Sequence, residues 1–202
     1  AAVRKRLAVS PLCSKLETML SYLVAGLREP LPSLRTRAMK AVSGVVRADP
    51  ATLELGSVQR VVHAALGEPS IAVREATLDL LGQFVLSRPA CVQKYYEAIA
   101  SRITDAGISV RRRVVRILRE ICVHEPTSPT ALDACRRLMS RVADEDEVAK
   151  NVTKVFHSLW FAPAPDGGAP PQADAAARTE QMVAVVCGAS VHLDGWLQQL
   201  LV

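Results

Sequence analysis

The sequence of 202 residues lacks the short motifs by which most enzymes and metal proteins are recognised. Its five cysteines are an odd number and no two are spaced CxxC, which argues against a disulfide framework or a zinc knuckle and favours a reducing compartment. HExxH, GxGxxG, GxxxxGK[ST] and GxSxG are all absent. We therefore expect no catalytic residues, no metal site and no cofactor, and we predict that the chain is not an enzyme.

Long hydrophobic runs are also missing. The longest nearly unbroken apolar stretch runs from Met182 to Val191, about half of a membrane span. No charged segment precedes an apolar one in the manner of a signal peptide. The sequence thus predicts no membrane partner. Because the first residue is alanine rather than methionine, we expect a fragment or a processed chain.

Charge is distributed unevenly along the chain. Half of the residues are hydrophobic and 22% are charged, as in a folded domain with a sizeable core. Residues 1–141 carry 22 basic and 12 acidic side chains, whereas residues 142–202 carry 3 basic and 8 acidic ones. An acidic partner is therefore plausible for the first part only.

A repeat with a period near 38 residues organises the sequence. Leu34, Val73 and Val110 are each followed by arginine, and they lie 39 and 37 residues apart. Each has an acidic residue five positions before it and a proline sixteen positions after it. A fourth copy follows at Val148, where Ala149 replaces the arginine.

Apolar residues recur at offsets that form one stripe on a helix, so each anchor opens an amphipathic helix that the proline ends. We predict second helices over 33–48, 70–87, 108–124 and 146–161, each preceded by a first helix over 13–27, 51–66, 90–104 and 130–142. Two helices per period are typical of HEAT repeats. The predicted fold is an all-α HEAT-repeat α-solenoid, a right-handed superhelical stack of helix pairs.

The predicted organisation has three parts. Residues 1–161 form about four repeats, bounded as 1–48, 49–88, 89–125 and 126–161. Residues 162–178 are rich in proline, glycine and alanine and are expected to be a flexible linker. Residues 179–202 are predicted to be the first helix of a following repeat, without a partner inside the chain.

The acid and the arginine that flank each anchor are expected to be structural. Both fall in the turn between paired helices, so stacking should bring the acid of one repeat beside the arginine of the next. The residues of this predicted ladder are Glu29, Arg35, Glu68, Arg74, Asp105 and Arg111. The acidic run 144–147 lies at a helix start, where complementing the helix dipole explains it.

Basic residues recur on the outward side of the second helices and predict a cationic stripe that could follow a phosphate backbone without reading bases. At the second repeat the outward positions are Glu75, Ala76 and Asp79, which interrupt the stripe. The alternative is an ordinary solvated face. The residues of the stripe are Arg37, Lys40, Arg112, Arg113, Arg116, Arg119, Lys150 and Lys154.

Several segments resemble the Nipped-B family, the large cohesin-loading subunit. They are VREATLDLLGQFVLSRP at 73–89, KYY at 94–96, VRRRV at 110–114 and LWF at 159–161. The resemblance runs through positions that are atypical of generic HEAT repeats, such as Tyr-Tyr and Trp-Phe. It covers most of the chain and is weakest over 1–12 and 162–178.

The resemblance implies a chromatin-associated scaffold in the nucleus. Members of that family are HEAT solenoids that engage cohesin subunits, stimulate the cohesin ATPase and help the ring to embrace DNA. It also implies a tetratricopeptide-type partner that binds a region outside this chain. The alternative is a generic HEAT-repeat docking scaffold with no direct DNA contact.

Overall fold

The computed structural model describes residues 11–84, 89–143, 147–161, 172–188 and 198. Every regular element in these ranges is helical, so the predicted all-α class is confirmed. None of their helices has the length and apolar character needed to cross a membrane. The α-helices are α1 (Pro11–Gly26), α2 (Pro32–Ala48), α3 (Gly56–Leu66), α4 (Ile71–Phe84), α5 (Pro89–Ala100), α6 (Ile108–His124), α7 (Pro129–Met139), α8 (Glu147–Phe156) and α9 (Gln172–Cys187).

Three shorter helical segments complete the pairs. Pro50–Glu54 and Ser101–Thr104 are 3₁₀ helices beside α3 and α5, and His157–Phe161 is a π-helical turn that continues α8. The chain divides into two compact units, Ala1–Phe84 (unit 1) and Val85–Val202 (unit 2). Unit 1 contains the helices of the first two predicted repeats, and unit 2 contains those of the next two.

Unit 1 is built around α2 and α4, which pack against each other, against α1 and against α3. Its core residues follow the spacing of the repeat, because the positions eight after the anchors, Val42 and Leu81, are both buried. Leu34 departs from the pattern and is 40% exposed, since it lies in the first turn of α2, which the described chain leaves uncovered. Other fully buried residues are Met39, Val46, Leu53, Val62, Leu78 and Leu80.

Unit 2 is built around α6, which packs against α5, α7 and α8. One side of α6 is apolar and fully buried, including Val110, Val114 and Leu118. Burying each such side chain contributes roughly 1.5–3 kcal/mol, so this face fixes the rotation of α6 about its axis. Charged residues are thereby left on the opposite side.

Prolines and polar caps set the helix boundaries. The predicted stops hold: α2 ends just before Pro50, and α6 ends just before Pro126. Pro50 also opens the following helix, where its missing N–H and fixed φ cost nothing. The side chains of Asp49 and Ser128 cap the next helices by accepting main-chain N–H groups, each at 3.1 Å.

Two predictions about the C-terminal part are wrong. Residues 172–178, assigned to the flexible linker, are helical and form the first turns of α9. Their alanine-rich composition favours a helix once the prolines of the preceding segment have passed. Residues 162–171 and most of 189–202 lie outside the described residues. Nor does α9 lack a partner, because it packs against α7 and the π-helical turn.

Arg136 holds the end of α9 against α7, next to Gly188. Arg136 Nη2 donates a hydrogen bond to the carbonyl oxygen of Ala184 at 3.1 Å, in the last turn of α9. A Cβ atom at position 188 would lie 1.9 Å from that nitrogen, so a larger residue there would displace the end of the Arg136 side chain. A cation at a helix C-terminus also complements the dipole.

Gln181 is the main polar contact between α9 and the rest of unit 2. Its side chain is 2% exposed, and its Oε1 accepts a hydrogen bond from Trp160 Nε1 at 3.0 Å. Its Nε2 donates to the carbonyl oxygens of Cys122 and Pro126 at 3.1 and 2.8 Å. One buried amide thus joins α9, the π-helical turn and the end of α6. Sequence periodicity gives no sign of this, because a glutamine that directly follows Arg178, Thr179 and Glu180 looks like a solvated position.

Gln181→Leu should lower the free energy of unfolding by about 3 kcal/mol, because it leaves an indole N–H and two carbonyls unpaired at about 1 kcal/mol each. Urea titration followed by tryptophan fluorescence measures the change. Glu180→Gln, at the exposed neighbouring position, should change it by less than about 0.5 kcal/mol. Equal effects of the two substitutions would contradict the buried role of Gln181.

Candidate nucleic-acid interface

Three of the second helices carry, as their fourth residue, an arginine that holds the turn before the helix. Arg35 Nη1 donates to the carbonyl oxygens of Glu29 and Pro30, both at 2.8 Å. Arg74 Nη1 makes the equivalent contacts to Glu68 and Pro69 at 2.6 and 2.9 Å. We call this contact the turn clamp.

Arg111 completes the set, because its Nη1 donates to the carbonyl oxygen of Asp105 at 2.7 Å. The acceptor is again the main chain of the residue six positions earlier. Arg74 is only 7% exposed, so its role is internal to the fold. In the fourth copy the arginine is absent and Ala149 is buried in its place.

A rung of the predicted ladder of acids and arginines forms in unit 1, in the opposite order to that expected. Arg35 Nη2 lies 3.1 Å from Glu68 Oε2, so the arginine of the first repeat meets the acid of the second. The reason is that the turn clamp already directs each arginine to the main chain of its own turn. Asp105 uses its carboxylate locally, accepting the main-chain N–H of Gly107 at 2.8 Å.

In unit 1 the predicted stripe residues Arg37 and Lys40 are both exposed on α2. The corresponding positions on α4 are less exposed, since Ala76 is buried and Glu75 and Asp79 are half-buried. At the second repeat the predicted stripe is therefore interrupted partly by a buried residue, and not by exposed acidic side chains alone.

In unit 2 the stripe residues lie on α6 and α8, which pack against each other. Arg112 and Arg116 are exposed on α6, and Lys150 and Lys154 are exposed on α8. We call these four residues the cationic patch. Arg113 and Arg119 are half-buried at its margin. The patch exists because the apolar faces of both helices point inward.

Some of these charges are offset by neighbouring groups. Arg112 Nη1 lies 3.3 Å from Glu147 Oε2, and the two side chains are 50% and 59% exposed. Such an exposed pair contributes at most about 1 kcal/mol and is weakened by salt. Arg119 pairs with Glu120, and Arg113 donates to the carbonyl oxygen of Ser109. Two acids at this surface are thus Glu147, at the start of α8, and Glu120, on α6. Residues 144–146 lie outside the described residues.

Arg137, which the sequence presents as a further basic residue, is part of a network between α5 and α7. Its guanidinium donates to Asp133 Oδ2 at 2.7 Å and to Glu97 Oε2 at 2.8 Å. It also lies 5.8 Å from the centre of the Tyr96 ring. Two carboxylates engage this arginine, so it does not extend the cationic patch.

Tyr96 contributes to the same network, and its hydroxyl donates to Asp133 Oδ2 at 2.5 Å. Burial and the adjacent carboxylate raise the pKa of Tyr96 far above its ordinary value. The phenol therefore stays neutral at physiological pH and keeps its proton for the hydrogen bond. Tyr95 is fully buried beside it, so the Tyr-Tyr pair serves packing and a polar link between helices.

Cys122 and Cys135 are buried with their sulfur atoms 3.2 Å apart. The hydrogen bond with Cys135, together with burial, raises the pKa of the Cys122 thiol well above its usual range. A thiol held in its protonated form is a poor nucleophile. Among the residues that the structure describes, no three metal-ligating side chains cluster.

Comparison with known proteins agrees with this architecture. Residues 40–81 and 96–118 match the family described as HEAT repeat associated with sister chromatid cohesion. The human Nipped-B-like protein is 42% identical over 163 residues, which is 81% of this chain and 6% of that protein. The Nipped-B protein of Drosophila melanogaster is 38% identical over 153 residues, 76% of this chain and 7% of that protein. The chain belongs to the Nipped-B family.

A solved structure supports the same assignment at the level of the fold. The C-terminal fragment of the Chaetomium thermophilum cohesin loader SCC2 superposes with a TM-score of 0.75 and 25% identity, covering 96% of this chain and 14% of that one. The HEAT-repeat fold predicted from the period is therefore confirmed. The chain spans only a small part of the length of these Nipped-B relatives.

Arg74→Met should lower the free energy of unfolding by about 2–3 kcal/mol, because it leaves two carbonyls of the turn without a donor. Arg74→Lys should recover only part of the loss, since an ammonium cannot reproduce the fork of a guanidinium. Urea denaturation followed by circular dichroism measures both.

Arg37→Met, on the exposed face of α2, is the matched control and should change stability by less than about 0.5 kcal/mol. If the methionine and lysine variants of Arg74 were both as stable as this control, the turn clamp would have no structural role.

Proposed function

We propose that this segment of helix pairs helps to load cohesin onto DNA, with the cationic patch of unit 2 contacting the DNA backbone. The observation that carries the proposal is the exposure of Arg112, Arg116, Lys150 and Lys154 on two helices that pack together. Membership of the Nipped-B family supports cohesin and DNA as the relevant partners.

The dimensions of the patch suit phosphate contacts. Arg112 and Arg116 are one helical turn apart, about 6 Å along the axis of α6. Packed helix axes lie about 8–10 Å apart, so the lysines of α8 form a second row at that distance. Such a patch can reach a few neighbouring phosphates. It presents no fitted set of donors and acceptors for base edges, so we expect binding that is independent of DNA sequence.

In this proposal the chain is a scaffold and an activator rather than an enzyme. The ATPase would reside in cohesin, and the solenoid would stimulate it by positioning cohesin subunits and DNA. The tetratricopeptide-type loader partner would bind outside this chain. A protein with these partners works on chromatin in the nucleus.

A second candidate function is protein docking without DNA contact. It is favoured by ion pairs in the patch and at its margin, since Glu147 offsets Arg112 and Glu120 offsets Arg119. A surface whose cations are already engaged attracts phosphates less strongly. The two candidates differ in their dependence on salt.

The test reverses three charges of the patch, Arg116→Glu, Lys150→Glu and Lys154→Glu, in one variant. If the patch meets phosphates, the affinity for a short DNA duplex should fall, and the slope of log K against log salt should flatten by about three at roughly 0.9 per contact. Fluorescence anisotropy over a salt series measures both quantities. The loss of affinity should be equal for duplexes of unrelated sequence.

Lys94→Glu, exposed on α5 of the same unit, is the matched control for Lys150→Glu taken singly. The slope of log K against log salt should change by about one for Lys150→Glu and not at all for Lys94→Glu. An unchanged slope in the triple variant, with the helical signal retained, would reject DNA contact at the patch and favour docking alone.

The activating role is tested separately in the full loader that carries this segment. The same triple variant should reduce the part of cohesin ATPase stimulation that requires DNA and leave the DNA-independent part intact. Loss of both parts would assign the patch to cohesin rather than to DNA.

A further inference from the structure

A groove lies in unit 1 between α1 and α3, on a different set of helices from the cationic patch. Its floor is apolar and includes Val24, Leu27, Val61 and Ala65, of which Leu27 and Ala65 are buried. Its volume of about 200 Å³ is below the range of roughly 300–1,000 Å³ that is usual for small-molecule sites. The groove therefore has room for a side chain rather than for a cofactor.

Two arginines stand at the rim of this groove. Arg28 follows the end of α1 and Arg60 lies on α3, and both are exposed. Glu68 also lines the groove, but its carboxylate is engaged by Arg35 at 3.1 Å. The rim thus presents positive charge beside an apolar floor.

The charge of the rim argues against one segment of this chain as the occupant. Residues 1–10 contain Arg4, Lys5 and Arg6 and no acidic residue, so this segment would be repelled by Arg28 and Arg60. DNA fits the rim but not the floor, because a phosphate backbone has no aliphatic group to bury there. A carboxylate matches the fork geometry of an arginine guanidinium. A peptide can carry carboxylates together with apolar side chains, so it suits both the rim and the floor.

We propose that this groove binds an extended acidic segment of a partner protein, which places one aliphatic side chain on the floor and carboxylates against Arg28 and Arg60. This is a protein-docking site distinct from the DNA contact. It does not depend on the cationic patch, so either proposal can fail alone. A short segment that fills one notch should bind with a dissociation constant on the order of 0.1–1 mM.

The test uses the isotope-labelled 202-residue chain and the blocked peptide acetyl-Asp-Glu-Leu-Asp-Glu-amide in an NMR titration. We expect saturable shifts of the Val61, Ala64 and Ala65 signals. Arg28→Glu and Arg60→Glu should each weaken binding about tenfold, the loss of one charge-assisted contact. Ala64→Trp, at an exposed position of the groove, should block it.

Two control peptides separate the contributions of charge and apolar contact. The amide version, acetyl-Asn-Gln-Leu-Asn-Gln-amide, and the version with glycine in place of leucine should both bind more weakly. Equal binding of either one would overturn the proposal. Arg47→Glu, exposed at the far end of α2, is the control for charge reversal and should bind the acidic peptide normally.

Other occupants are distinguished in the same experiment. Shifts of the groove signals with duplex DNA but not with the peptide would overturn the proposal in favour of a nucleic-acid site. Shifts that depend on protein concentration alone would assign the groove to a second copy of the chain. Absence of any saturable shift at several times the expected dissociation constant would also reject it. If a glutamate variant fails to fold, Arg28→Gln and Arg60→Gln provide the milder comparison.

Discussion

The contact between a guanidinium and the main-chain carbonyls of the preceding turn is the interaction on which the first three helix pairs depend. Arg35, Arg74 and Arg111 make it at the same offset in successive repeats. A turn between two packed helices leaves carbonyls that the helices cannot satisfy, and burying them unpaired would cost about 1–3 kcal/mol each. The arginine lies on the following helix and donates hydrogen bonds to these carbonyls. The angle between the paired helices therefore depends on how the following helix is rotated about its axis.

Once the helix pairs are fixed, the surfaces follow. The second helices bury one apolar face, as α6 does with Val110, Val114 and Leu118, and turn their charges away from the core. In unit 2 this produces the cationic patch on α6 and α8. In unit 1 the space between two first helices forms the groove with Arg28 and Arg60 at its rim. The two surfaces differ in chemistry because one is a row of charges and the other is an apolar notch with a charged rim.

Polar groups inside unit 2 add links that the apolar repeat lacks. Gln181 connects three elements through one amide, and Arg137, paired with Asp133 on its own helix α7, joins α7 to α5 through Glu97. Loss of the buried link made by Gln181 should lower the stability of the fold, since a buried donor or acceptor without its partner costs free energy. Arg137, by contrast, is part-exposed, with a pKa raised by the carboxylates of Glu97 and Asp133 despite the opposing effect of its burial.

The sequence by itself determined the helix pairs, their boundaries within a few residues and the buried faces, because apolar periodicity and proline positions are local signals. It also predicted a structural role for Arg74 and Arg111 and outward positions for Arg112 and Arg116. Only the tertiary structure decided which groups meet: that Arg35 pairs with Glu68, that Ala76 is covered, that Arg137 reaches Glu97 and that α9 docks through Gln181. The physical reason is that such contacts join residues tens of positions apart, and their geometry is set by packing between helices rather than by the order of residues within one.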